Sequence, residues 1–177
     1  MMAWHTRGLR GSAFEELINR TNEKYRELGL ALVQKIPTPI TPINIDHDKH
    51  QITLAYFDQK STVDYVGVIQ GVPVCFDAKE CDADTFPLQN IHEHQIEFMS
   101  DFEKQEGIAF ILIYFTKDDT YYYLTFRELA GYWERMKSGG RKSFRRDELE
   151  DKFFFKQKDI VFVPYLDMVK TDLELRD

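Results

Sequence analysis

The stretch Thr62–Lys79 reads TVDYVGVIQGVPVCFDAK. Two runs rich in β-branched and aromatic residues, Val63 to Ile69 and Val72 to Lys79, flank the dipeptide Gln70-Gly71. This is the pattern of an antiparallel hairpin closed by a two-residue turn. Side chains alternate along a strand, so Val74, Phe76 and Ala78 take one face and Cys75, Asp77 and Lys79 the other. An acid and a lysine two apart therefore stand side by side. Thr62 and Asp64 share a face on the partner strand, and the hairpin brings Asp64 toward Asp77. Two converging carboxylates suit a hard cation such as Mg²⁺. Lys79 beside them could steer an attacking water or stabilise a charged phosphoryl transition state. A surface ion pair is the competing reading, since acids and lysines at this spacing are common.

Upstream, Ser12 and Glu15 have the spacing of a capping box opening a helix. Phe14, Leu17, Ile18, Tyr25 and Leu28 continue that helix, and Gly29 is its natural stop. Glu15 is read as a capping residue, although it could also reach the acid pair. A strand over Leu30 to Ile36 is broken by Pro37, Pro39 and Pro42, because proline cannot donate to a ladder. The polar segment Ile43 to Ile52 carries His47, Asp48, Lys49 and His50 and reads as the tip of a projecting hairpin without an apolar face. Gln51 to Phe57 is strand-like again.

Downstream, a helix is expected from about Leu88 to Gln105, then a buried strand over Ile108 to Phe115. Tyr121 to Phe126 pairs with it across Asp118-Asp119, and Phe126 to Lys137 is helical. The tail holds a short strand around Ile160 to Val163 and a closing helix. This order predicts a mixed sheet with flanking helices, α/β or α+β.

On the Leu88–Gln105 helix, Ile91, Gln95, Phe98, Met99 and Phe102 form one stripe in which Gln95 is the polar exception. A buried amide must find partners. A structural hydrogen bond would satisfy it, but beside an acid–acid–lysine hairpin a metal-linked role is the better reading. His92 and His94 should project in different directions, and with neither HExxH nor paired cysteines they do not read as a zinc site. No glycine-rich phosphate loop or nucleophile elbow is present.

The chain has 177 residues, 43% hydrophobic and 30% charged, which fits one soluble domain with a real core. No apolar run approaches the roughly 20 residues needed to span a bilayer. Met1 to Gly11 has no apolar segment, so no secretory signal is expected, and Cys75 and Cys81 read as reduced thiols in a cytoplasmic protein. The net charge of −7 argues mildly against nucleic acid. Arg135 to Arg146, RMKSGGRKSFRR, nevertheless carries six basic residues and no acid. It reads either as a solvated loop or as a mobile phosphate-contacting arm, with Arg141, Lys142, Arg145 and Arg146 as candidate DNA contacts.

RGSAFEELINRTN, KIPTP, AYF, STVDYVGV, CFDAKE, FPLQNIHEHQIEFM and GRKSFRRDELE together resemble the RecU-type Holliday junction resolvases over nearly the whole chain. The resemblance implies a restriction-endonuclease-like fold spanning residues 1–177 as one nuclease domain, with a stalk at about 37–54. It implies a homodimer that nicks four-way DNA junctions symmetrically in recombination and repair, with Mg²⁺ or Mn²⁺. Carried over by position, Thr62, Asp64, Asp77 and Gln95 would be metal-associated and Lys79 the transition-state stabiliser. The stalk, with Lys49 at its tip, would engage the junction centre. The second acid is usually Glu in this family and is Asp77 here. The chain also begins close to its first helix and is net acidic, so weaker or more salt-sensitive DNA binding is expected. Recombinase or branch-migration proteins are further expected partners, and a membrane is not. Two other readings stay open: a nuclease of this fold with another branched or mobile-element DNA target, and a non-catalytic DNA-binding modulator. The intact Asp64, Asp77 and Lys79 argue against the second.

Overall fold

A computed structural model describes residues 8–37, 39–57, 62–158 and 161–176. Helix α1 spans Gly8–Glu27, so Ser12 lies inside it and does not open it. The S-x-x-E spacing is a local signal that helical backbone extending upstream overrides. Gly29 does end the helix, at φ +67°, with Leu30 N–H donating to Tyr25 O at 2.9 Å.

Strand β1 (Ala31–Lys35) is followed by β2 (Ile40–Asp46) and β3 (Gln51–Phe57), then β4 (Tyr65–Ile69) and β5 (Val72–Cys81). Gln70 and Gly71, at φ +48° and +90°, close the β4–β5 turn as expected of a two-residue hairpin. A short β6 (Thr85–Pro87) and a 3-10 turn at Leu88–Asn90 precede α2 (Glu93–Lys104), so that helix begins later than its apolar stripe suggests. Then come β7 (Ile108–Phe115), β8 (Thr120–Thr125), α3 (Phe126–Lys137), β9 (Ser143–Arg145), β10 (Phe154–Phe155) and α4 (Leu166–Glu174).

Six strands form one mixed sheet in the order β1-β4-β5-β7-β8-β10, with β5 and β7 parallel and the other neighbours antiparallel. This is the mixed sheet flanked by helices that the element order predicts. A row of rings crosses one face. Tyr65 stacks on Phe76 at 4.7 Å, Phe76 on Phe110 at 4.6 Å and Phe110 on Tyr123 at 4.3 Å. Tyr165 from the start of α4 covers Phe76 at 5.2 Å and meets Tyr25 of α1 edge-on at 5.3 Å. With its neighbouring residue on this face, β5 must present Asp77 to the opposite one.

The tail strand is β10, while Val161 makes only a single bridge with Lys158, and Ile160 lies outside the described residues. The basic run is no mobile arm. It contains β9, which pairs antiparallel with β6, because Phe144 and Phe86 stack at 5.0 Å and bury this two-stranded ladder. Among the described residues, strands β2 and β3 pair only with each other, and Pro42 is accommodated inside β2 beside an irregularity in register. The tip is polar, but the strands of the hairpin carry apolar surface: Ile40, Ile43, Ile45, Ile52, Leu54 and Tyr56 are each at least 49% exposed. Both cysteines are free and buried. No helix among the described residues is long and apolar enough to cross a membrane.

Candidate active site

Asp77 sits on β5 with no solvent exposure, next to the parallel neighbour β7. Its Oδ1 accepts the Asp64 backbone N–H at 2.8 Å, and its Oδ2 accepts from Lys79 Nζ at 2.8 Å and from Gln95 Nε2. The Asp64 carboxylate turns back to the same strand, accepting the Ala78 N–H at 3.1 Å through Oδ2. The chain at Asp64 is pinned in turn by Ile36 N–H donating to its carbonyl at 2.8 Å. Strand alternation thus delivers Asp77 and Lys79 to one face, and the hairpin delivers Asp64. Thr62 is half-buried two residues upstream and takes no part in this hydrogen-bonded cluster.

Gln95 is 6% exposed and uses both ends of its amide. Oε1 accepts the His92 N–H at 2.9 Å, completing the first turn of α2, while Nε2 reaches Asp77. His92, in extended conformation just ahead of the helix, stacks on His94 at 5.4 Å. The two rings therefore share a side, because His92 precedes the helical turn that would have separated them.

Burial pushes the Asp77 carboxyl up; Lys79 opposes that shift and the neighbouring Asp64 reinforces it. A buried carboxylate beside a second acid is costly unless cations balance it, and Lys79 supplies one positive charge. No group of three or more His, Cys, Asp or Glu capable of holding a metal occurs among the described residues. Two neighbouring carboxylates are hard oxygen donors of the kind that ordinarily hold Mg²⁺, which takes few protein ligands. The oxygen donors fit a hard divalent cation.

The basic residues are largely paired. Arg135 and Arg141 bind Glu148, Lys137 binds Glu93, and Arg145 binds Asp147. Arg146 grips Asp118 with both terminal nitrogens and lies over the Phe115 and Phe154 rings at 4.6 and 4.7 Å. Lys142 is the one basic residue of the run in no ion pair among the described residues. The acids that follow the run, Asp147 and Glu148, were legible next to it in FRRDELE, whereas Asp118 is 28 residues away. Lys49 stands 72% exposed at the hairpin tip, where Asp46 Oδ1 accepts the backbone N–H groups of Asp48 and Lys49, each at 3.1 Å.

A mixed sheet that gathers two acids and a lysine at one place, in a chain that also carries a structured basic segment, has the layout of a centre for phosphoryl-transfer chemistry. The chain belongs to the RecU family: residues 9–171 match the family described as Recombination protein U. It is 44% identical over 147 residues to the Holliday junction resolvase RecU of Geobacillus sp. (strain WCH70), covering 81% of this chain and 73% of that one. Against the Holliday junction resolvase RecU of Bacillus pumilus (strain SAFR-032) it is 45% identical over 144 residues, 79% of this chain and 69% of that one. Among solved structures, that of Archaeoglobus fulgidus Hjc, a Holliday junction resolvase from an archaeal hyperthermophile, aligns at TM-score 0.36 and 10% identity. That alignment covers 67% of this chain and 74% of the other.

Proposed function

We propose that this chain is a metal-dependent endonuclease that resolves four-way DNA junctions by paired nicks, acting as a homodimer. The carrying observation is the cluster of Asp64, Asp77 and Lys79, joined by hydrogen bonds of 2.8 to 3.1 Å, in a chain of this family. Asp64 and Asp77 would hold Mg²⁺ or Mn²⁺, with Thr62 and Gln95 as the further metal-associated positions. When bound, such a cation supplies charge neutralisation at the scissile phosphate. Asp77 is held in place for this by the Asp64 N–H and by Gln95. Lys79 is 21% exposed at its side chain, enough to meet a phosphate oxygen while remaining on Asp77. Its ammonium would stabilise the negative charge that develops as the phosphoryl group is transferred. Arg141, Lys142 and Arg145 would contact the backbone, with Arg146 ordering their segment from its place between two rings.

Two cuts placed symmetrically need two centres, which a two-fold dimer provides. The exposed apolar residues of the β2–β3 hairpin support association, since a two-stranded ribbon with such surface is ordinarily covered. The test is incubation of the purified protein with Mg²⁺ and labelled four-way junctions, flaps and duplexes, with cut positions mapped. Symmetric nicks confined to the junction are expected, lost in Asp64→Asn and Asp77→Asn while junction binding in EDTA persists. Cleavage of either variant at near wild-type rate would refute the site assignment.

A further inference from the structure

The segment that carries the basic run also carries its own anions. Glu148 Oε1 accepts from Arg141 Nη1 at 2.7 Å and from the Arg145 backbone N–H at 2.8 Å, and its Oε2 is taken by Arg135. Two guanidinium groups and a backbone N–H converging on one anion are the donor set that proteins present to a phosphate. We propose that Glu148 occupies the place of a DNA phosphate in the free protein, and that DNA binds this surface by displacing it from Arg141 and the Arg145 amide. The proposal rests on the reading that the chain binds branched DNA, and it names the residue that sets how readily.

The three donors differ in how far they can leave. Arg135 is fixed from within: it donates to Ser143 O at 2.7 Å and lies over the Tyr132 ring at 5.0 Å. Arg141 is half-exposed and reaches Glu148 from outside, so its guanidinium can turn to solvent without disturbing the core. The Arg145 amide is held by the β6–β9 ladder and stays aimed at whichever anion is present. Asp147 repeats the arrangement on a smaller scale by holding the exposed Arg145 side chain. Arg135 keeps the Glu148 carboxyl below its usual range, so the competing anion is fully charged at neutral pH.

Position gives the contact its consequence. Lys142 O accepts the Leu88 N–H at 3.0 Å, which ties the segment to the stretch running from β5, with Asp77 and Lys79, into α2, with Gln95. A ligand that offers phosphates over a wide surface recovers what the displaced ion pairs lose, whereas a DNA that touches the segment at one point does not. Internal acids therefore act as a filter against weakly matched DNA, specificity obtained by penalising the wrong partner.

The experiment is fluorescence anisotropy of a labelled junction and a duplex of equal length, in EDTA, over a salt series. Glu148→Gln keeps an oxygen acceptor and removes the charge. It is expected to bind both DNA forms tighter by up to about fivefold, the upper end for one exposed ion pair, with the duplex gaining more. The slope of affinity against salt should stay unchanged, because the same phosphates are neutralised in the end. Arg141→Ala should then cost more affinity in the Glu148→Gln background than in the wild type. Asp147→Asn, which alters an ion pair exposed on both sides, gives the same readout where folding is not at stake, and melting curves verify the fold of each variant. Unchanged or weaker binding by both variants overturns the proposal and leaves Glu148 as a loop fastener. Wild-type protein that binds no junction overturns instead the reading on which it rests.

Discussion

Asp77 shows how tightly one residue can be specified. It has no exposed surface, and its two oxygens take three hydrogen bonds from the backbone, a lysine and an amide. Asp77→Glu supplies the acid that the family resemblance leads one to expect at this position but adds a methylene to a filled site. Cleavage should survive while stability falls by about 1–3 kcal/mol, the ordinary cost of overpacking, as measured by denaturant titration. A variant inactive yet fully folded would show that the shorter acid sets the geometry here. Lys79→Ala should lose most of its turnover with little change in junction affinity, as expected of a group that acts mainly in the transition state. An equal loss in both would make it a plain phosphate contact. Glu128 offers a separate test away from the centre. Burial pushes its carboxyl up to about 7 from the ordinary 4.5, while phenol donors on Tyr122 and Tyr132 oppose the shift. The folded state then keeps a proton that the unfolded chain has released between those two values. Stability must accordingly fall as pH rises through that window. Glu128→Gln should flatten this fall in unfolding curves taken below and above it; a slope retained in the variant assigns the effect to other groups.

At the scale of elements, the sheet depends on close approach as well as on pairing. A Cβ on Gly67 of β4 would lie 2.3 Å from Leu32 O and 2.6 Å from Val33 Cα, both backbone atoms of β1. Backbone cannot step aside as a side-chain end can, so Gly67→Ala should separate β1 from β4 and loosen the Ile36 contact with Asp64. The expected signs are a lower melting temperature and faster amide exchange across Ala31–Lys35; native exchange there would defeat the idea. The aromatic row is the other support. Phe110 touches Phe76, Tyr123 and Tyr165, and Phe110→Ala should cost about 3–5 kcal/mol through the cavity it leaves.

The whole molecule joins a net charge of −7 to a proposed DNA partner, and the pairing of its basic run reconciles the two. Cations already matched by neighbouring acids form a binding surface only by exchange, which lowers affinity without altering how many phosphates are neutralised. We propose that the choice of a junction over duplex falls to the β2–β3 hairpin, whose strands pair with no other strand among the described residues. Deleting about Ile43 to Gln51 should leave the centre folded and remove the preference for junctions in a binding competition at fixed salt. Because the lost segment includes exposed apolar residues, sedimentation of the variant must accompany it. A deletion variant that remains dimeric and still favours junctions would remove the hairpin from the recognition scheme.

What residues determine by themselves here is local. Alternation along Val72 to Lys79, the Gln70-Gly71 turn and the helical spacing of Phe126 to Lys137 each act within a few residues, and each stands in the structure as read. The same alternation placed Asp77 and Lys79 on one face, and the turn placed Asp64 beside them. Tertiary structure decided the rest. Gln95 became a bridge between α2 and Asp77 because a strand from elsewhere in the chain faces it. The basic run became a ladder because Thr85–Pro87 came alongside. Asp147 and Glu148 next to it pair three of its cations, but Arg146 is matched only because Asp118 approached across 28 residues. Periodicity and turn chemistry are properties of neighbouring residues, whereas charge balance and burial depend on whichever distant segment the closed sheet brings into contact.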